Sequence, residues 1–118
     1  MNEKLFQKAT ALISDPDIIV DLYDLSIEWL SPKLTSMSGC SETELVGCKR
    51  RITHLFGFEE KEATETVWKD AKEEGVREFV AKMKDGQKYQ IKMHFFTFKF
   101  EETFYRVGKM EEVQKLPQ

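Results

Sequence analysis

An α+β fold is predicted for this 118-residue chain: an antiparallel sheet with short helices on one face and an amphipathic helix at the N-terminus. Three features predict it. An apolar stripe repeats at helical spacing near the start, two short β-type runs follow, and the C-terminal third alternates apolar and polar residues around an Asp-Gly pair. The length fits one domain, large enough to bury a core without metal or disulfide staples.

Each element has a local cause. Leu5, Phe6, Ala9, Leu12 and Ile13 share one helical face. Asp15-Pro16-Asp17 ends that helix, because the residue before a proline avoids helical geometry. Ile18–Asp21 reads as a strand, Leu22–Ser26 as its turn and Ile27–Ser31 as the paired strand. Ser41-Glu42-Thr43-Glu44 is a capping box, with Cys40 and Leu45 at the staple positions and Gly47 closing a very short helix over Glu42–Val46. A longer helix is expected over Glu59–Glu74, with Glu65 and Lys69 as an i,i+4 pair and Gly75 as its stop. Phe79, Ala81 and Met83 alternate with polar residues, as do Tyr89, Ile91, Met93 and Phe95, and Asp85-Gly86 between them signals a hairpin. From Phe96 the apolar parity shifts to Phe96, Phe98 and Phe100. Either a bulge changes the register there or both strand faces are covered. Glu101–Thr103 turns the chain into a last strand, Phe104–Val113. The organisation expected is a helix in residues 1–16, a domain in 17–113 and a tail or the start of a linker in 114–118.

Composition narrows the function. With 41% hydrophobic and 33% charged residues the chain is globular. A net charge of −3, with Lys49-Arg50-Arg51 as its basic run, argues against nucleic acid. Met1–Ile13 is too polar for a signal-peptide core, and no apolar run approaches a membrane span. Cys40 and Cys48 flank the short helix, so their distance permits a disulfide, yet two thiols without a secretory signal point to a reducing compartment. The cytoplasm is the expected location, unless the chain belongs to a larger membrane protein. No Gly-x-Ser-x-Gly, phosphate loop or His-Glu-x-x-His is present, so no enzyme is expected in this chain.

The order helix, two strands, short helices, longer helix and three-strand meander resembles that of PAS domains. Local matches are Ile18-Ile19-Val20-Asp21, Ile27-Glu28-Trp29-Leu30-Ser31-Pro32 in place of a strand ending in Asn-Pro, and a short helix ending at Gly39. Leu45-Val46-Gly47, Lys84-Asp85-Gly86 and Tyr105-Arg106-Val107-Gly108 complete the set. Glu112-Val113-Gln114 stands where many family members have Asp-Ile-Thr; the Thr is not kept. The resemblance implies a sensory or docking module of signal transduction, within a sensor histidine kinase of a two-component system or a related regulator. It also implies a ligand pocket between the inner sheet face and the short helices.

That implication can be tested position by position. Light-oxygen-voltage flavin domains of the family carry a reactive cysteine in a run after the helix-ending Gly. Here Arg50 holds that place and Cys48 lies two residues too early. Their flavin-binding amides correspond to Ala81, Ile91 and Met110, none of which hydrogen-bonds through its side chain. Haem-binding members place a His on or near the long helix, whereas here His54 precedes it and His94 lies on a strand. Cys40, Cys48, His54 and His94 lack the spacing of a zinc motif. No cofactor and no metal are expected.

The pocket candidates are Val20, Ile52, Leu55, Val67, Trp68, Ala81, Ile91, Met93 and Arg106. By parity Arg106 faces inward and needs an anion, either a protein carboxylate or a carboxylate ligand. Trp68 either packs in the core or stacks on an aromatic ligand. A small apolar ligand fits such a lining, and side chains alone would also fill it. Leu5, Phe6, Ala9, Leu12, Ile13, Phe96, Phe98 and Tyr105 form the expected homodimer face. The alternatives are a ligand-free interaction module, or a small cone-shaped enzyme of isomerase or dehydratase type. The enzyme needs an inward acid or His facing a Tyr, and apart from Arg106 the inward strand positions are apolar.

Overall fold

The computed structural model describes residues 2–41, 43–47 and 73–117. Helix α1 spans Glu3–Leu12. The Asn2 side chain caps it by accepting from the amides of Lys4 at 2.9 Å and Leu5 at 3.2 Å. Strands β1 (Ile18–Asp21) and β2 (Ile27–Leu30) pair antiparallel. The expected second strand reached Ser31, but Ser31 leaves the sheet to cap helix α2 (Pro32–Ser38). Its Oγ accepts from the Leu34 amide at 3.1 Å, and Pro32 sits where no amide is needed. Gly39 closes α2 in the left-handed region, at φ 74°.

The capping box forms as its sequence prescribes. The Ser41 hydroxyl accepts from the Glu44 amide at 3.0 Å, and the Glu44 carboxylate accepts from the Ser41 amide at 3.3 Å. What it caps is one π-type turn, Thr43–Gly47, in place of the short α-helix expected. The longer helix expected over Glu59–Glu74 lies outside the described residues except at its end, and there it requires correction. Glu74 opens strand β3 (Glu74–Lys82), in register with Phe96, and the Glu73 carbonyl accepts from the Thr97 amide at 2.7 Å. Sheet pairing takes these residues, and Gly75 lies inside the strand.

Strands β4 (Lys88–Phe100) and β5 (Thr103–Lys115) complete the meander. The five strands stand in the order β2-β1-β5-β4-β3, every neighbouring pair antiparallel. The Asp85-Gly86 hairpin is present, with Gly86 at φ 88° and the Met83 amide donating to the Gln87 carbonyl at 2.9 Å. Strand β5 passes the expected limit at Val113 because Gln114 and Lys115 still pair with Gln90 and Tyr89. Beyond it the Gln87 side chain donates to the Leu116 carbonyl at 2.8 Å, which ties to the hairpin part of the segment expected as a tail or the start of a linker.

The parity shift at Phe96 has a simple origin. Ile91, Met93 and Phe95 point to one face of β4, and Phe96, Phe98 and Phe100 to the other. Both faces are covered, so β4 needs no bulge at Phe96. The register does slip between Lys92 and Met93, where Glu111 is the extra residue on β5. On the inner face Ile18, Val20, Leu25, Ile27, Ala81, Ile91 and Met93 form the main core with Leu34 of α2. On the outer face α1 lays Leu5 and Ala9 on Ile19, Phe98 and Val107.

Candidate functional site

The inner face of the sheet brings together the pocket residues that fall within the described chain. Val20, Ala81 and Ile91 are fully buried, Met93 is 2% exposed and Arg106 1%. The other expected members, Ile52, Leu55, Val67 and Trp68, lie outside the described residues, as do Cys48, Arg50 and His54. Gly75 and Gly108 flank Phe95 in register, and large side chains of β4 fill the space the glycines leave. A Cβ on Gly108 would stand 2.6 Å from the Met93 sulfur, and one on Gly75 would stand 3.0 Å from the Phe95 ring. Glycine at these positions lets β4 lean over both neighbours.

Arg106 is a buried charge of this face, on which Arg77 also stands, in register with Met93. Its Nε donates to Thr97 Oγ1 at 3.0 Å, and its guanidinium lies 4.3 Å from the Phe95 ring centroid. A cation–π contact and this hydrogen bond both help to orient it. A threonine hydroxyl and an aromatic face are two of the groups that meet it, beside the protein carboxylate or carboxylate ligand that the sequence leads one to expect. Ala81, Ile91 and Met110, the positions of flavin-binding amides in the resembling domains, are all buried. At these places the face offers dispersion contacts alone.

The sequence pattern offers Asp17 only as part of a helix stop. It is 7% exposed and ties three elements together: Oδ1 accepts from Ser31 Oγ at 2.7 Å, and Oδ2 from the Met110 amide at 2.8 Å. No periodicity reveals that role; only the pairing of β1 with β5 creates it. Among the described residues, no group of three His, Cys, Asp or Glu side chains is placed to hold a metal. His94 lies on the outer face, its Nε2 2.9 Å from Glu74 Oε1. Cys40 sits against the core; burial first and then Glu44 push its thiol up, which keeps it a weak nucleophile.

The expected dimer face divides. Leu5, Ala9 and Phe98 are buried by their own chain, so they offer no surface to a partner. Phe6 packs on Trp29 with centroids 4.9 Å apart, and Phe96, Ile13 and Tyr105 are half-buried. Leu12 is 39% exposed. Beside Phe6 and Trp29 an open groove of about 530 Å³ runs between α1, β2 and the start of α2, away from the inner face.

Tyr105 carries a pH dependence. Burial first, then the charges of Glu28 and Asp21, raise its phenol above the usual value. The folded chain thus keeps a proton that the unfolded chain releases near pH ~10. Stability is whole below that pH and falls as pH rises through the higher folded value. Tyr105→Phe is expected to flatten the alkaline decline in urea titrations between about pH 9 and 11. An unchanged decline would assign it to other groups.

No protein-family model and no curated protein matches the chain. Solved structures do match. The PAS domain of an HTR-like protein from Haloarcula marismortui is 19% identical, the match covering 93% of this chain and 99% of that one, with a TM-score of 0.59. A PAS domain from a two-component sensor histidine kinase is 10% identical over 98% of this chain and 100% of that one, with a TM-score of 0.62. The LOV protein of Rhodobacter sphaeroides is 15% identical over 94% of this chain and 69% of that one, with a TM-score of 0.59. The chain therefore has the PAS fold, an α+β architecture around a five-stranded antiparallel sheet, as the resemblance of its motifs implies. Among the described residues no helix is long and apolar enough to cross a membrane.

Proposed function

We propose that the chain is a non-catalytic PAS sensory module that takes a small, largely apolar ligand on the inner face of its sheet. The observation that carries this reading is the inner face itself, apolar at Val20, Ala81, Ile91 and Met93 with Arg106 as one oriented cation. Such a lining recognises an apolar body by burial. A signalling protein of the histidine-kinase kind, acting in the cytoplasm, is the natural parent, in line with the kinase-derived PAS domain it resembles. The enzyme reading finds less support. Tyr89 packs against the inner core, but Asp17, the buried carboxylate among the described residues, is committed to Ser31 and to the Met110 amide. Homodimerisation belongs to the same proposal, through Phe6, Leu12, Ile13, Phe96 and Tyr105, which keep surface outside their own chain.

Native mass spectrometry of freshly purified protein, with an absorbance spectrum, tests the ligand. The expected result is a colourless protein carrying a small adduct that Ala81→Phe expels, since Ala81 has no free surface to spare. A stoichiometric visible flavin or haem band would overturn the apolar-ligand reading. An adduct-free protein would leave the interaction-module alternative in its place.

A further inference from the structure

One end of the sheet carries exposed aromatic residues that neither the core nor the inner face uses. The β1–β2 turn and the β4–β5 turn lie side by side there, joined by the Leu22 amide donating to the Phe104 carbonyl at 3.0 Å. Tyr23 is 84% exposed and Phe104 55%, the two most exposed large hydrophobic side chains among the described residues. Carboxylates surround them. Asp21 accepts from the Tyr23 amide at 2.8 Å and Asp24 from the Ser26 amide at 2.9 Å. Glu101 and Glu102 form the tip of the β4–β5 turn, both in the left-handed region, at φ 47° and 69°.

Lys99 shows the chemistry this surface accepts. Its ammonium stands 5.9 Å from the Phe104 ring centroid and 3.6 Å from Glu102 Oε2, so an aromatic face and a carboxylate already share one cation of the chain. The charge of the patch remains acidic, because Asp21, Glu101 and Glu102 outnumber Lys99 and Lys8, whose ammonium donates to the Lys99 carbonyl. Aromatic faces rimmed by carboxylates suit guanidinium best: the planar cation stacks on a ring while its N–H groups bridge to oxygen.

We propose that this end of the sheet is a docking surface for a basic, arginine-bearing segment of a partner protein. Arginine side chains of the partner stack on Tyr23 and Phe104 and pair with Glu101 and Glu102. By register Phe104 and Lys99 share the side of the sheet that carries Arg106 and Thr97, but at the strand ends, where Phe104 stays exposed. Its electrostatic share makes binding weaken with salt.

The test uses the full chain and a fluorescein-labelled synthetic peptide of alternating arginine and glycine, with lysine–glycine and glutamate–glycine counterparts, read by fluorescence anisotropy. The arginine peptide should bind more tightly than the lysine peptide, and the glutamate peptide should not bind. The double variant Tyr23→Ser/Phe104→Ser should weaken the arginine peptide about tenfold, as expected when stacking anchors are removed. Glu101→Gln/Glu102→Gln should weaken it and flatten its salt dependence. Both variants change exposed side chains, and an unchanged thermal midpoint will show that they fold. The proposal fails if the arginine peptide does not bind, or if binding ignores the loss of Tyr23 and Phe104. It also fails if sedimentation shows the wild type pairing through this end and Phe104→Ser abolishing that pairing, since the occupant would then be a second copy.

Discussion

Asp17→Ala is expected to destabilise the chain by about 3–5 kcal/mol, because it removes two hydrogen bonds to a carboxylate and orphans a buried amide. The Met110 amide donates to Oδ2 at 2.8 Å at a buried position of β5. The Ser31 hydroxyl donates to Oδ1 at 2.7 Å while its oxygen caps α2. One side chain thus fixes the start of β1, the middle of β5 and the first turn of α2. The backbone repeats the tie: the Asp17 amide donates to the Gly108 carbonyl and the Ser31 amide to the Asp17 carbonyl, both at 2.8 Å. Asp17→Asn keeps an acceptor for one donor but turns an NH₂ group towards the other, so it should fall between wild type and alanine. Urea unfolding of the three proteins measures the series. A loss under about 1 kcal/mol for alanine would mean that water replaces the carboxylate at no cost.

The fold was legible wherever a local pattern and its tertiary use agree. The period of two in Tyr89, Ile91, Met93 and Phe95 survives intact because one face of β4 meets the core. The Ser41–Glu44 box survives because its bonds close within four residues. Glu44 is held below the usual carboxylate range by the Ser41 amide first and Lys84 second. Errors arose where distant pairing decides. Glu74 has helical composition around it, yet the register with Phe96 draws it into the sheet. Ser31 reads as the end of a strand, yet its hydroxyl serves α2. Gln114 and Lys115 read as tail, yet β4 has unpaired length to match them. The inward direction of Arg106 followed from parity alone, while its contacts with Thr97 and Phe95 did not, since they depend on how β4 aligns with β5. For the pocket, parity placed Ala81, Ile91 and Met93 correctly on the inner face. The groups that would close it from the side of Ile52, Leu55, Val67 and Trp68 lie outside the described residues.

Leu5→Ala should cost about 2–5 kcal/mol, the range for truncating a fully packed leucine, whereas Leu12→Ala should cost under about 0.5 kcal/mol. The two residues stand on one sequence stripe, and the sequence assigns them the same fate. The structure separates them: Leu5 is 2% exposed against Ile19, Phe98 and Val107, while Leu12 is 39% exposed near the end of the helix. A ten-residue helix is marginal by itself, so α1 holds its place largely through Leu5 and Ala9. Losing Leu5 should therefore loosen the whole helix and uncover the outer face of β1, β4 and β5. The same division tests how the chain pairs. If a dimer forms over the residues that α1 leaves uncovered, Leu12→Glu should shift sedimentation towards monomer with the unfolding midpoint unchanged, and Leu5→Ala should lower stability at every protein concentration. The opposite pattern, a stable monomer from Leu5→Ala and no effect of Leu12→Glu, would mean that α1 lies on the sheet of a second copy and that its burial against its own sheet is wrong.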